Sequence, residues 1–92
     1  MHFVITCLDK PGHGAVRAEN RPAHLEYLKA NGDKILVAGP ILSEDGERPT
    51  GSLLIMAFAD RAEAEAFAAG DPYNRAGLFE SVTIKPWRKA LP

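Results

Sequence analysis

Ser52-Leu53-Leu54-Ile55-Met56-Ala57-Phe58 is an apolar run of strand length, and Asp60-Arg61-Ala62-Glu63 follows it almost at once. Asp60 and Glu63 have the spacing at which the first turn of a helix caps itself, so a strand hands over to a helix here. That helix packs with Ala64, Phe67 and Ala68, and Gly70 ends it. Upstream, Lys34 to Ala38 reads as a strand stopped by Gly39-Pro40. Residues 41–50, with Ser43, Asp45-Gly46 and Pro49, read as a long hairpin loop. Further upstream, Phe3 to Leu8 is an apolar, β-branched strand closed by Asp9-Lys10-Pro11-Gly12. Between these strands a helix is expected from about Asn20 to Asn31. Asn20 would cap it, Pro22 would sit in its first turn, Leu25 and Leu28 would mark its core face, and Gly32 would stop it. Downstream, Phe79 to Trp87 supplies a last strand.

The order is therefore βαββαβ. Its compact solution is an α+β, ferredoxin-like sandwich: a four-stranded antiparallel sheet with two helices on one face. In this topology the start of the first helix, the 40–50 loop and the end of the second helix share one end of the sheet. His24, Ser43 and Asp71 are expected to meet there. Phe3-Val4-Ile5 and Leu53-Leu54-Ile55-Met56 are apolar without alternation, whereas a sheet with one wet face alternates. The face away from the helices thus needs a cover, and a second copy of the chain is the simplest one.

At 92 residues the chain is read as a single domain, residues 1–92, with a modest core. Its net charge of -1 leaves no basic stripe for nucleic acid or anionic membranes. No apolar stretch approaches the ~20 residues of a membrane span, and the N-terminus lacks a basic, cleavable leader pattern. Cys7 is the only cysteine and lies in an apolar strand, so it reads as a buried, unreactive thiol. A cytoplasmic protein is expected.

The candidate chemistry centres on His24. A histidine in the first turn of a helix, beside Asp71 after the Gly70 stop, makes a His-Asp pair suited to proton transfer. The plainer readings are a histidine that closes an apolar face and an Asp-Pro turn. Tyr73 offers a phenol to a pocket or packs on a helix. Arg21 holds an anion near the helix start or is simply solvated. Ser43 beside such a pair suggests a nucleophile, but no Gly-x-Ser-x-Gly elbow surrounds it. His2, His13 and His24 lack metal-ligand spacing, and no phosphate-binding glycine loop appears. Neither a metal nor a cofactor is expected.

Arg21-Pro22-Ala23-His24-Leu25, Ala38-Gly39-Pro40, Gly51-Ser52, Asp71-Pro72-Tyr73 and Val82-Thr83-Ile84-Lys85-Pro86 together resemble the YciI-like (YCII-related) family across nearly the whole chain. The resemblance implies a ferredoxin-like dimer built through the sheets. It also implies a His-Asp dyad, which maps to His24 and Asp71, with Gly39, Pro40, Ser43 and Tyr73 around the pocket. A related branch is associated with dehydrochlorination of chlorinated aromatic intermediates. The loop at 41–50, acidic through Glu44, Asp45 and Glu47, is expected to border the pocket. The leading expectation is a small-molecule enzyme that uses the dyad as general acid and base for an elimination or an isomerisation. The alternatives are a dimeric, non-catalytic metabolite-binding module with the same pocket and a structural partner in a larger assembly.

Overall fold

Strand β1 (His2–Asp9) leads into helix α1 (Gly14–Ala30), and a single 3-10 turn at Gly32–Lys34 returns the chain to β2 (Ile35–Leu42). Strand β3 (Pro49–Ala57), helix α2 (Arg61–Gly70), a one-turn helix α3 (Pro72–Arg75) and β4 (Phe79–Trp87) complete the chain. This computed structural model describes all 92 residues. The sheet order is β2-β3-β1-β4 and every neighbouring pair is antiparallel, the ferredoxin-like arrangement. No helix is long and apolar enough to cross a membrane.

Burial alternates along β1. Phe3, Ile5 and Cys7 face the helices and are buried, as are their neighbours Leu54 and Met56 on β3 and Ile84 on β4. Val4, Thr6, Leu53 and Ile55 take the opposite face and stay half-buried. The unalternating sequence thus hides a sheet that is apolar on both sides. Ala64, Phe67 and Ala68 of α2, with Tyr73, Leu78 and Phe79 beyond it, close the core over the inner face. Each large apolar side chain buried here contributes about 1.5–3 kcal/mol. Gly51 is a steric necessity, because a Cβ there would collide with the backbone carbonyl oxygen of Cys7; one at Gly70 would meet the end of the Tyr27 side chain, 2.6 Å from its hydroxyl.

Three local expectations change. Helix α1 begins at Gly14, not at Asn20: the Arg17 N–H bonds the His13 carbonyl at 3.1 Å just after a turn at Gly12 (φ +74°). Ala15, Arg17, Ala18 and Glu19 are good helix formers, and they carry the helix two turns further upstream without an apolar stripe to announce it. Asn20 is then a mid-helix residue, its amide donating to the Val16 carbonyl at 2.9 Å. Pro22 is interior to α1 and exposed, and it deprives the Ala18 carbonyl of its helical donor. Second, Gly39-Pro40 does not end β2. Pro40 pairs with Ser52 inside the ladder, which an edge strand tolerates because one side of it has no neighbour to bond. Third, α3 is an additional turn of helix after Asp71.

Cys7 is buried among apolar side chains, and desolvation pushes its thiol from 9.0 up to about 12. The native thiol stays protonated where the unfolded one ionises. Stability is therefore expected to fall as pH rises above about 9 towards 12. A thiol reagent should react with native protein only as fast as it unfolds. Denaturant melts across alkaline pH and a timed modification assay check both outcomes.

Candidate active site

Helix α1 buries only two of its residues, Arg17 and His24, and both are polar. With Arg21 and Leu28 they form a stripe at i, i+4, i+7 and i+11 that shares one wall of a cavity of about 880 Å³. Ala38, Gly39 and Pro40 of β2, with Ser52 and Leu54 of β3, form the facing wall. Segments at Lys10–Gly14 and Arg48–Thr50 border the ends.

His24 Nδ1 lies 2.9 Å from Asp71 Oδ1. Asp71 is buried and caps α3: the same Oδ1 accepts the Tyr73 backbone N–H at 2.9 Å. A carboxylate can only accept, so Nδ1 carries the proton, and in the neutral ring Nε2 presents its lone pair. Nε2 has no protein partner, and no buried side-chain nitrogen or oxygen lacks one, so Nε2 is open to the cavity. The Tyr73 ring stacks on the imidazole, with centroids 3.9 Å apart and planes 15° apart. Asp71 itself does not line the cavity; it stands behind the imidazole and orients it.

A second polar group lies beside the first. Arg17 donates from Nε and Nη2 to the two carboxylate oxygens of Asp9, at 2.7 and 2.9 Å, and from Nη2 to Ser52 Oγ at 3.0 Å. Its guanidinium carbon is 4.6 Å from the centre of the Tyr73 ring. Burial raises the Tyr73 phenol above its ordinary value, while the Arg17 and Arg21 charges pull it back down. Sequence reading missed Arg17, Asp9 and Ser52. The signal available was the helical spacing of Arg17, Arg21, His24 and Leu28, a stripe written in polar residues.

The structure places His24, Arg21, Gly39, Pro40 and Tyr73 on the cavity wall. It corrects two features of the expected site. His24 is the eleventh residue of α1, so the helix start has no electrostatic hold on it; Asp71 is its one charged partner. Ser43 does not line the cavity. Its hydroxyl donates to Asp45 Oδ1 at 2.6 Å and accepts the Arg48 N–H at 3.1 Å, which ties the hairpin turn together. The bond from the Ser43 hydroxyl, with one from the Glu47 N–H, holds the Asp45 carboxyl below its usual range. Glu44, Asp45 and Glu47 all stay off the wall; Arg48, Pro49 and Thr50 border it instead. No three metal-ligating side chains converge anywhere in the structure.

Fold and site together define a small βαββαβ domain with a carboxylate-backed histidine opening on a cavity. The YCII-related domain matches residues 1–88, and the chain belongs to that family. Protein YciI of Escherichia coli O6:H1 is 38% identical over 98 residues, covering 99% of this chain and all of its own. An uncharacterised protein of Haemophilus influenzae is 36% identical over the same span and coverage. Among solved structures, 5-chloro-2-hydroxyhydroquinone dehydrochlorinase (TftG) of Burkholderia phenoliruptrix AC1100, in complex with 2,5-dihydroxybenzoquinone, superposes with a TM-score of 0.89. It is 39% identical, over 96% of this chain and 94% of that one. A putative antibiotic biosynthesis monooxygenase of Bacteroides thetaiotaomicron, 12% identical with a TM-score of 0.60 over 100% of this chain and 90% of its own, shares the fold alone.

Arg17→Met should destabilise the protein by about 3 kcal/mol, because it leaves the Asp9 carboxylate buried without its partner. The double variant with Asp9→Asn should recover part of that loss. Urea melts of the four proteins in the cycle measure both terms.

Proposed function

We propose that this protein is a small-molecule enzyme that uses His24 as general base and acid, with Asp71 as the group that orients it, to run an elimination on a hydroxylated cyclic compound. The observation that carries this reading is the division of labour within one imidazole. Nδ1 is committed to a buried carboxylate and Nε2 is free at a cavity large enough for a substituted ring. The likeness to a dehydrochlorinase at 39% identity supports the same class of reaction.

The chemistry needs little else. In a ring tautomer whose chlorine-bearing carbon is tetrahedral, Nε2 takes the proton of a ring hydroxyl. The O–H electron pair becomes a carbonyl, the ring double bonds shift, and chloride departs with the C–Cl pair. The products are a quinone and HCl, with the proton passing from the imidazolium to water. Asp71 stabilises the imidazolium without taking its proton. An isomerisation would use the same groups and return the proton at a different carbon.

Assays of 5-chloro-2-hydroxyhydroquinone and related chlorinated hydroquinols for chloride release test this. His24→Asn should lower kcat by about 10³-fold. Asp71→Asn should lower it by about 10²-fold with KM little changed, because an amide can hold the imidazole in the opposite tautomer. Circular dichroism confirms that both variants fold. Tight ligand binding without turnover of any candidate would favour the non-catalytic binding module.

The same reading includes a homodimer through the outer sheet face. Val4, Leu53 and Ile55 are half-buried there, and Val37 on the adjoining β2 is 51% exposed. Ile55→Glu should convert a dimer to a folded monomer in sedimentation experiments. Ile5→Glu, on the inner face at 1% exposure, should unfold the chain instead.

A further inference from the structure

The cavity's charge says something about its ligand that the dyad does not. The chain carries 11 Lys and Arg against 12 Asp and Glu, yet four cations line the cavity and only one acid does. That acid, Asp9, is consumed by its two bonds to Arg17. Arg21 and Arg48 make no ion pair and no side-chain hydrogen bond with the protein, although Glu44 and Glu47 closely precede Arg48 in sequence. Both arginines are exposed at residue level, one on α1 and the other at the foot of the β2–β3 hairpin.

The hairpin turn is built to hold Arg48 in place. Ser43 bonds it twice through the backbone: the Ser43 N–H donates to the Arg48 carbonyl at 2.8 Å, and the Arg48 N–H donates to Ser43 Oγ at 3.1 Å. One carboxylate of that turn, Asp45, accepts from the Ser43 hydroxyl and the Glu47 N–H. Glu44 and Glu47 do not line the cavity, and neither pairs with Arg48.

We infer that the site selects a ligand carrying a planar, delocalised oxyanion, a carboxylate or an ionised enol, held between Arg21 and Arg48, with Ser43 as a positioning residue for Arg48. A guanidinium fork matches two coplanar oxygens and binds them with charge-assisted hydrogen bonds. A cavity with a cationic excess inside a near-neutral protein also concentrates anions at its mouth. This inference rests on the functional reading of the cavity but concerns recognition, not proton transfer.

The test compares two isosteres that differ in charge, 2,5-dihydroxybenzoate and 2,5-dihydroxybenzamide, by calorimetric titration of the intact protein. The benzoate should bind roughly tenfold tighter or better, and the margin should shrink as salt is raised. Arg21→Met and Arg48→Met should each reduce the benzoate's affinity about five- to tenfold and leave the benzamide's unchanged. Ser43→Ala should reduce the benzoate preference less than Arg48→Met, with thermal melts showing the fold intact. Equal affinities, a preference that survives in the Arg21→Met/Arg48→Met double variant, or binding of neither isostere at millimolar concentration would each overturn the inference. The titrations are repeated on His24→Asn. Charge preference should persist there while turnover is lost, so the recognition and the catalytic readings fail separately.

Discussion

One carboxylate oxygen organises the interior. Asp71 Oδ1 accepts the N–H that starts α3 and also accepts His24 Nδ1–H from the far side of the helical layer. The first bond turns the chain sharply after α2, and that turn carries the Tyr73 ring under the imidazole. A buried carboxylate needs strong donors, and these two bonds supply them to Oδ1. The cap, the tautomer of His24 and the stacking partner of its ring therefore stand or fall together. The site cannot loosen without also unravelling the link between α2 and β4.

The second constraint is that α1, which packs Val16, Tyr27 and Leu28 on the core only in part, reserves its deepest positions for polar groups. Its buried residues are an arginine and a histidine, and each is tied to a carboxylate from another part of the chain. Tyr73 touches both, 4.6 Å from the guanidinium carbon and 3.9 Å from the imidazole centre. The fully buried hydrophobic side chains come from α2, α3, the inner faces of β1, β3 and β4, and the segments beside them. Helix α1 can then leave space beneath part of its length, and the cavity occupies it.

The fold was legible because its signals were apolar. The Ser52–Phe58 run, the Asp60–Glu63 cap and the Gly70 stop mark elements by hydrophobic content and local capping, and the structure keeps them: the Asp60 side chain accepts the Glu63 N–H at 3.0 Å. The first two turns of α1 were illegible for the converse reason. An apolar periodicity search passes over a stripe of Arg17, Arg21 and His24, and Pro22 looked like a helix start because an interior proline costs about 3 kcal/mol. Arg17, Asp9 and Ser52 escaped for a related reason. Their pairing spans 35 residues between Arg17 and Ser52, and nothing local in any of the three announces it. The family resemblance carried the pairing of His24 with Asp71; the topological route to it placed His24 at the helix start, whereas it is the eleventh residue of α1. The placement of Ser43 could not be anticipated, because a hydroxyl in a turn serves the turn first.

The cavity's outer wall is β2, an edge strand whose inward residues Ala38 and Pro40 remain exposed and add nothing to the core. Beyond it, the hairpin makes its hydrogen bonds within itself. Changes in hairpin length or composition are therefore uncoupled from the packing that keeps the domain folded. Redrafting the hairpin would redraw the Arg48–Thr50 border of the cavity while the His24–Asp71 pair, held between α1 and the start of α3, keeps its geometry.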